Sequence, residues 1–341
     1  MTGPAISRAR LPIALSLGDP AGIGPELACL AWAARAREGL EPFLVCEGQQ
    51  VLIAAARQLG LDVPVKSVDS MAEALAVFDD ALPVLGAGDG EYRPGQPGPA
   101  SARLALNSLT MATRLAVQQV VAALVTGPIA KGRLAEVGFA HPGQTEYLAD
   151  ACGVSESQAV MMLAGPSLRT VPLTVHCALA EVSQRLTEDL IRARAHIVAT
   201  ALRDDFGIAA PRIAVAGLNP HAGEDGKFGH EEARIIAPAI AALRRDGIDA
   251  TGPHPGDALF TPRARTGYDA ALCMYHDQAL IPLKALEFDA GVNVTLGLPI
   301  VRTSADHGTA FDIAGQRKAD PGATIAALRL AGEIAARRAG S

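Results

Sequence analysis

The stretch ALCMYHDQALIPLK (271–284) decides how we interpret the fold of this chain. Its first four residues form an apolar run typical of a strand buried on both faces, and four polar residues, Tyr275-His276-Asp277-Gln278, follow at once. In open α/β sheets, ligands bind beyond the carboxyl ends of the strands. The stretch therefore predicts a buried parallel strand with a candidate site at its end.

Short apolar strands alternate with Ala- and Leu-rich helical stretches along nearly the whole chain. This alternation predicts an α/β protein with a mostly parallel sheet and helices on both faces. A length of 341 residues is enough for two packed domains. We place the start of the second domain at Thr126, after the predicted strand at 122–125.

The composition excludes several classes of protein. Hydrophobic residues make up 49% and charged residues 19%, which is typical of a globular chain. The net charge of −6 and scattered arginines argue against a nucleic-acid partner. The apolar runs are too short for a membrane span, and the N-terminal residues do not form a signal peptide. Five widely spaced cysteines favour reduced thiols in a cytoplasmic protein: Cys29, Cys46, Cys152, Cys177 and Cys273.

Two segments of the sequence are candidates for anion binding, and for each of them a purely structural role is the alternative. GDPAGIGPE (18–26) has glycines spaced G-x-x-x-G-x-G, which is neither a dinucleotide fingerprint nor a P-loop, so a tight strand-to-helix turn is favoured over a phosphate cradle. Gln144 and Thr145 fall at a predicted helix N-terminus, whose free N–H groups suit an anion. Simple capping of the helix is an equal alternative for Thr145.

Three histidines, His176, His221 and His276, each follow an apolar strand-like run. Together they could hold one divalent ion and leave positions for water or substrate, and imidazole ligands favour zinc or cobalt over magnesium. Taken singly, each histidine is more often a hydrogen-bonded structural residue, whereas their shared position after apolar strands makes the joint metal site an equal alternative. Asp277 could be a further ligand, an acceptor that fixes the imidazole tautomer, or a solvated helix cap. For Cys177 and Cys273, a small buried side chain is favoured over a metal ligand.

Lys284, Asn293 and Arg302 follow or begin strands near the opening stretch. Arginine offers a bidentate fork to a phosphate or carboxylate, and lysine offers a point charge. Their crowding predicts a cradle for an anionic substrate, although any one of them could be a solvated surface residue.

Six motifs resemble those of the 4-hydroxythreonine-4-phosphate dehydrogenases, a family of pyridoxal phosphate (vitamin B6) biosynthesis. They occur in the family's order and span about residues 11 to 330: GDPAGIGPE (18–26), TGPIAKG (126–132), PGQTEYLA (142–149), LNPHAGEDGKFGHEE (218–232), MYHDQALIPLK (274–284) and RTSADHGTAFDIAG (302–315). LNPHAGE and YHDQ together are highly specific.

The resemblance implies a two-domain α/β/α fold similar to the isocitrate and isopropylmalate dehydrogenases, with the active site in the interdomain cleft. It implies a first, discontinuous domain at 1–125 plus 298–341, and a second domain at 126–297 that carries the metal histidines and the dimer interface. The family works as a homodimer whose metal site takes histidines from both subunits. HGTAFDIAG (307–315) is also similar to the loop that holds the adenosine of NAD in isopropylmalate dehydrogenases.

Carried over by residue, the resemblance implies a set of functional side chains. It assigns a divalent ion (zinc, cobalt or magnesium) to His176, His221 and His276, and NAD or NADP to His307, Gly308, Thr309 and Ala310. Substrate contacts are implied for Gln144, Thr145, Lys284, Asn293 and Arg302. Lys284 is also a candidate for proton handling, with pure phosphate binding as the alternative.

The implied reaction is the metal-dependent, NAD(P)-dependent oxidation of 4-phosphooxy-L-threonine at C3. The product, 2-amino-3-oxo-4-phosphooxybutanoate, then decarboxylates to 3-amino-2-oxopropyl phosphate. One departure stands out, because the family usually has His-Thr-Glu where this chain has Gln144-Thr145-Glu146. Two alternatives remain: a paralogue acting on a phosphorylated threonate or a dihydrodiol carboxylate, and a non-catalytic metal-binding protein with the same fold.

Overall fold

A computed structural model describes residues 11–340 of the chain. The strands are β1 (Ile13–Ser16), β2 (Phe43–Cys46), β3 (Val65–Val68), β4 (Leu82–Leu85), β5 (Leu124–Thr126), β6 (Val160–Ala164), β7 (Arg169–Thr174), β8 (Arg212–Ala216), β9 (Asp249–His254), β10 (Ala270–Tyr275), β11 (Val292–Leu296) and β12 (Arg302–Ala305). The α-helices are α1 (Gly24–Glu38), α2 (Gln49–Leu59), α3 (Met71–Val77), α4 (Pro99–Val117), α5 (Lys131–Glu136), α6 (Gln144–Ala151), α7 (Val182–Arg185), α8 (Glu188–Asp204), α9 (Ala237–Arg245), α10 (Gly256–Leu259), α11 (Pro262–Arg265), α12 (His276–Glu287) and α13 (Gly322–Gly340). Strands and helices alternate along most of the chain, which confirms the α/β class.

The chain divides into two compact units, and the division corrects one predicted boundary. Unit 1 comprises residues 11–156 and 298–340, and unit 2 comprises 157–297. The segment 126–156 therefore belongs to unit 1, whereas the sequence placed the start of the second domain at Thr126. The physical reason is burial: Leu134 and Phe139 pack against Ala102 and Leu109 of α4 in one hydrophobic cluster.

Unit 1 is built on a parallel sheet with strand order β3-β4-β2-β1-β5-β12. Strands β1, β2 and β5 are buried along their whole length, as expected for parallel strands covered by helices on both faces. Arg302 of β12 lies in register with Leu124 of β5, and Ser304 lies opposite Thr126. This pairing places Arg302 beside Thr126, the last residue of β5, whereas Lys284 and Asn293, the other two residues of the predicted anion cradle, belong to unit 2.

Unit 2 has the strand order β11-β6-β7-β10-β8-β9. Strand β6 runs antiparallel to both of its neighbours, and β6 with β7 forms a hairpin. The four strands β7, β10, β8 and β9, which are neighbours in that order, are parallel. Strand β10 lies inside this sheet with five successive buried residues, so the apolar run at 271–274 is part of a central strand, as predicted.

Within residues 11–340, no helix has the length and apolar character required to cross a membrane.

Candidate active site

The three predicted metal histidines follow three neighbouring strands of unit 2. His176 comes after β7, His276 after β10 and His221 after β8, and β10 pairs in parallel with both of the others. The carboxyl ends of parallel neighbours meet at one edge of a sheet, where α/β proteins bind their ligands. The three histidines, which the sequence placed after apolar runs, therefore follow strands that end at the same edge of the sheet.

His176 and His276 lie beside one another at this edge. Their ring centroids are 6.2 Å apart, and the ring planes are inclined by 37°. Both rings line a cavity of about 330 Å³ together with Thr174, Cys177 and Tyr275. Two imidazoles at this separation, facing a cavity that admits water, form half of a typical divalent-metal site.

Asp277 fixes the orientation of one of these rings. Its Oδ1 lies 2.7 Å from Nδ1 of His276. A carboxylate at Nδ1 favours the tautomer with the proton on that nitrogen. The lone pair of Nε2 is then available to a metal ion. Of the three interpretations left open for Asp277, the contact favours the acceptor that fixes the tautomer.

His221 lies in a loop with an unusual backbone. Its own φ is 51°, and positive φ values continue through Asp225. The ring packs 6.2 Å from the ring of Phe228. The structure, within the residues it describes, contains no group of three or more His, Cys, Asp or Glu side chains placed to hold a metal ion. It thus brings His176 and His276 together without adding His221 to the pair.

The two cysteines near the histidines differ in position. Cys273 is fully buried in β10, its Sγ donates to the carbonyl of Ala271 at 3.8 Å, and burial raises the pKa of its thiol. It is a small core residue, as the sequence favoured. Cys177 is half-buried and lines the cavity beside His176.

Unit 1 carries a hydrogen-bonded cluster around Arg302. The guanidinium Nη2 donates to Oγ1 of Thr126 and to Oε1 of Gln144, both at 2.8 Å. Thr126 Oγ1 donates to the same Gln144 oxygen at 2.8 Å, and Gln144 Nε2 donates to the carbonyl of Gly127 at 3.2 Å. Every polar atom of the Gln144 amide is therefore used to hold Arg302 and the end of β5.

Burial sets the charge state of this cluster. Arg302 is only 3% exposed, and desolvation lowers the pKa of its guanidinium to about 10, while the charge of Glu146 opposes that shift. Arg302 is therefore a buried cation at neutral pH, a strong site for an anion. No role was predicted for Thr126 from the sequence, although a hydroxyl at a strand end before Gly127-Pro128 was the available signal.

The remaining predicted substrate residues lie on regular elements. Thr145 is the second residue of α6, whose cap residue is Gly143, so the capping interpretation of Thr145 is wrong. Lys284 lies in α12, eight residues after His276, which corresponds to about 12 Å along a helix. Asn293 lies in β11 opposite Leu163 and is half-buried. Their contact with a substrate stays a prediction.

The predicted cofactor loop follows β12 in unit 1. His307 Nδ1 lies 3.0 Å from the carbonyl of Gly308, while Nε2 is buried and has no hydrogen-bond partner within the described part of the chain. Gly308 has open space where a Cβ atom would stand. A buried nitrogen with spare hydrogen-bonding capacity beside an open backbone fits a polar ligand such as a nucleoside.

The glycine-rich turn at 18–26 packs directly against this loop. The N–H of Ile23 donates to the carbonyl of Thr309 at 3.0 Å, and a Cβ atom on Gly22 would stand 2.5 Å from the same oxygen. Asp19 Oδ1 accepts the N–H of Ala21 at 3.0 Å inside the turn. These contacts favour the tight-turn interpretation, because glycine is needed here for close backbone approach.

The chain is similar to known proteins over nearly its whole length. Residues 39–331 match the family model described as pyridoxal phosphate biosynthetic protein PdxA. A relative named 4-hydroxythreonine-4-phosphate dehydrogenase, from Erythrobacter litoralis, is 64% identical over 96% of this chain and 98% of its own length.

Solved structures are similar over the same length. A crystal structure of 4-hydroxythreonine-4-phosphate dehydrogenase from Klebsiella pneumoniae has a TM-score of 0.83 and 39% identity, covering 95% of this chain and 99% of that one. A terephthalate 1,2-cis-dihydrodiol dehydrogenase from Burkholderia xenovorans has a TM-score of 0.64 and 30% identity, covering 95% and 98%. The chain therefore belongs to the family of pyridoxal phosphate biosynthetic protein PdxA and is a dehydrogenase.

Proposed function

We propose that the chain catalyses the NAD(P)-dependent oxidation of 4-phosphooxy-L-threonine to 2-amino-3-oxo-4-phosphooxybutanoate. That product is a β-keto acid and loses carbon dioxide to give 3-amino-2-oxopropyl phosphate. The observation that carries the proposal is the 64% identity, over nearly all of both chains, to a relative named for this activity. The buried Arg302 cluster and the histidine pair supply the side chains that such chemistry requires.

Histidines 176, 221 and 276 are the residues that would hold a divalent ion. The fit rests on the 6.2 Å pair, the cavity beside it and the carboxylate that orients His276. An all-imidazole set suits zinc or cobalt better than magnesium. When bound, a divalent ion supplies Lewis acidity that lowers the pKa of a substrate hydroxyl.

The buried guanidinium is the group that would bind the anionic end of the substrate. Arg302 keeps its charge at neutral pH, and its Nη2 is held in place by Thr126 and Gln144. Thr145 and the free N–H groups at the start of α6 add donors of the kind that bind phosphate. A preformed set of donors loses little conformational entropy when the anion binds.

The oxidation itself moves one hydride and one proton. A bound nicotinamide would accept the hydride from C3 of the substrate, and the hydroxyl proton would pass to a base, so that a C=O bond would replace the C–OH group. Lys284 is our candidate for handling the proton, with phosphate binding as its alternative role. The loop at 307–310 is the proposed site of the adenosine part of NAD or NADP, supported by the unpartnered Nε2 of His307.

We also propose a homodimer whose active sites are shared between subunits. The helix that begins at His276 exposes Ile281 (64%) and Leu286 (46%), and Phe288 follows at 72%. Leu179, close to His176 in the chain, is 69% exposed. Large apolar side chains exposed next to both histidines favour burial against a second copy.

A cytoplasmic location is part of the proposal. All five cysteines are free thiols in the structure, and three of them are buried. Free thiols are typical of a reducing compartment. Cell fractionation with an antibody to the chain would test the location.

Steady-state assays on 4-phosphooxy-L-threonine would test the proposed reaction. We expect NADH or NADPH formation that a chelator abolishes and added zinc or cobalt restores. His276→Ala should remove this activity, while His196→Ala, which alters an exposed histidine paired with Asp246, should not. Turnover that is insensitive to chelator and to His276→Ala would contradict the metal assignment.

A second candidate substrate class is a phosphorylated threonate or a dihydrodiol carboxylate. Two observations favour keeping it: the 30% identity to a dihydrodiol dehydrogenase, and glutamine in place of the family histidine at position 144. Comparing kcat/KM for the three substrates at equal enzyme and cofactor concentrations would decide between the candidates. Preference for either alternative over 4-phosphooxy-L-threonine would overturn the proposed substrate.

A further inference from the structure

The loop that carries His221 has a backbone that ordinary side chains rarely adopt. His221, Ala222, Glu224 and Asp225 have φ values of 51°, 52°, 39° and 55°, and Gly223 between them has 83°. For residues with a Cβ atom, this left-handed conformation brings the side chain too close to the backbone. A run of such residues persists only where the surrounding structure determines it.

One buried carboxylate holds the start of this loop. Glu232 is 6% exposed, and its Oε1 accepts the backbone N–H groups of Leu218 and Asn219, both at 2.8 Å. Its Oε2 accepts from Nδ2 of Asn219 at 2.9 Å. The two oxygens together take three donors from the residues that lead into His221, so this carboxylate is engaged by the loop.

The loop also folds closely around this carboxylate. A Cβ atom on Gly223 would stand 2.8 Å from Glu232 Oε2, and a Cβ atom on Gly217 would stand 3.2 Å from Oε1. The glycines on both sides of His221 therefore leave room for the carboxylate. Contacts on both sides of the histidine determine its position more firmly than one hydrogen bond would.

The helix that presents Glu232 is itself irregular. Residues Glu232–Ile236 form a π-helical turn before α9 begins. Glu231 and Glu232, although consecutive, both accept from Nδ2 of Asn219, at 2.8 and 2.9 Å. π-Helical turns are rare and are frequently found at functional sites. Here the irregular turn coincides with the point where two carboxylates meet the loop.

We propose that Glu232 is a positioning residue for His221. It holds Leu218 and Asn219 at the start of the loop and thereby supports the left-handed conformation of residues 221–225, which presents the imidazole to a divalent ion. It does not itself contact that ion. The inference rests on the proposed role of His221 in metal binding. Partners that orient a ligand typically contribute tenfold to a hundredfold to metal affinity, so we expect a loss of about that size without Glu232.

The test compares the full-length protein with its Glu232→Gln variant. The amide keeps the size of the side chain but replaces one acceptor oxygen with an NH2 group, which faces donors of the loop. Glu287→Gln is the matched control, because Glu287 Oε1 also accepts a backbone N–H, that of Ser167 at 2.7 Å, in a different turn of unit 2. If Glu232→Gln does not fold, Asn219→Ala removes the side-chain link and leaves the backbone bonds.

Two measurements are made on each protein. Hydrogen exchange of the metal-free protein reports whether residues 217–223 are held, and titration with Zn²⁺ against a competing chelator reports metal affinity. We expect Glu232→Gln to accelerate exchange in this segment and to weaken Zn²⁺ binding about tenfold to a hundredfold, with Glu287→Gln unchanged in both. Unchanged Zn²⁺ affinity in Glu232→Gln would overturn the inference.

The proposed function can fail separately. If the wild-type protein binds Zn²⁺ no more tightly than His276→Ala, the proposed metal site is wrong. The exchange data would then decide the remaining question. Faster exchange in Glu232→Gln would support Glu232 as the residue that positions the loop, and unchanged exchange would overturn it.

Discussion

The Arg302 cluster of unit 1 and the histidine pair of unit 2 differ in how complete they are within one chain. Arg302 is buried and fixed by Thr126 and Gln144 through bonds of 2.8 Å. His176 and His276 border an open cavity, and the third predicted ligand does not join them in one group within the described residues.

The difference has a physical reason. A buried cation must be hydrogen-bonded in the folded monomer, because leaving it without partners would cost several kcal/mol. The imidazoles of His176 and His276 border a cavity, and a polar side chain that water can reach does not have to be hydrogen-bonded within the folded chain. The proposed anion site is therefore fixed by contacts within one chain, while the proposed metal site can depend on a second subunit.

The largest expected effect on kcat comes from replacing a proposed metal ligand, and combining two such variants in one dimer tests whether the ligands come from different subunits. His221→Ala and His276→Ala should each reduce kcat by about a thousandfold, since Lewis-acid stabilisation contributes several kcal/mol. A heterodimer of the two variants, purified through two different tags, should recover about half of the wild-type activity if each site takes His221 from one subunit and His276 from the other.

The heterodimer also gives the contradicting outcome. If all three histidines come from the same subunit, both of its sites are broken and no activity returns. The control for tag effects is a dimer in which both subunits carry His276→Ala and each subunit carries a different tag. Failure to recover activity would mean that the metal site, like the Arg302 cluster, is built from a single chain.

Removing the buried cation should have the next largest effect. Arg302→Met should lower kcat/KM by roughly tenfold to a hundredfold, because hydrogen bonds to a charged group contribute about 1.5–3 kcal/mol. Arg329→Met, which alters an exposed arginine paired with Glu38, is the matched control and should leave kcat/KM within about twofold. Equal kinetics for the two variants would show that Arg302 is structural.

The smallest effect concerns Gln144 and depends on pH. In Gln144→His, a neutral imidazole can accept the bond from Arg302, but a protonated one cannot, so the pKa of this imidazole should lie below its unfolded value of about 6.5. The unfolded chain then binds more protons, and stability falls as the pH drops below about 6.5.

Thermal unfolding at two pH values measures this loss. We expect the Tm of Gln144→His to be close to wild type at pH 8 and lower by a few degrees at pH 5.5, which corresponds to about 1 kcal/mol for a pKa shift of one unit. Gln144→Asn, which does not titrate, is the control. A Tm difference that does not change with pH would mean that the imidazole does not meet Arg302.

Much of the fold could be predicted because it follows from local patterns. The apolar run before His276 is a buried central strand, and the hairpin of β6 and β7 forms where two short apolar runs are joined by a turn. The predicted domain start at Thr126 was wrong, because the sequence shows that Leu134 and Phe139 need burial without showing that α4 provides it. Thr126, Asn219 and Glu232 were missed for the same reason, since their roles lie in contacts with residues distant in the chain.

The sequence by itself determined the α/β class, the order of the motifs and the position of each candidate histidine after a strand. These follow from hydrophobic periodicity and from residue types at fixed spacing, which are local properties of the chain. Only the tertiary structure decided which side chains meet. It paired His176 with His276, placed Gln144 against Arg302 and enclosed Glu232 in the His221 loop, because burial and hydrogen bonding between distant segments are settled only when the strands take their order in the sheet.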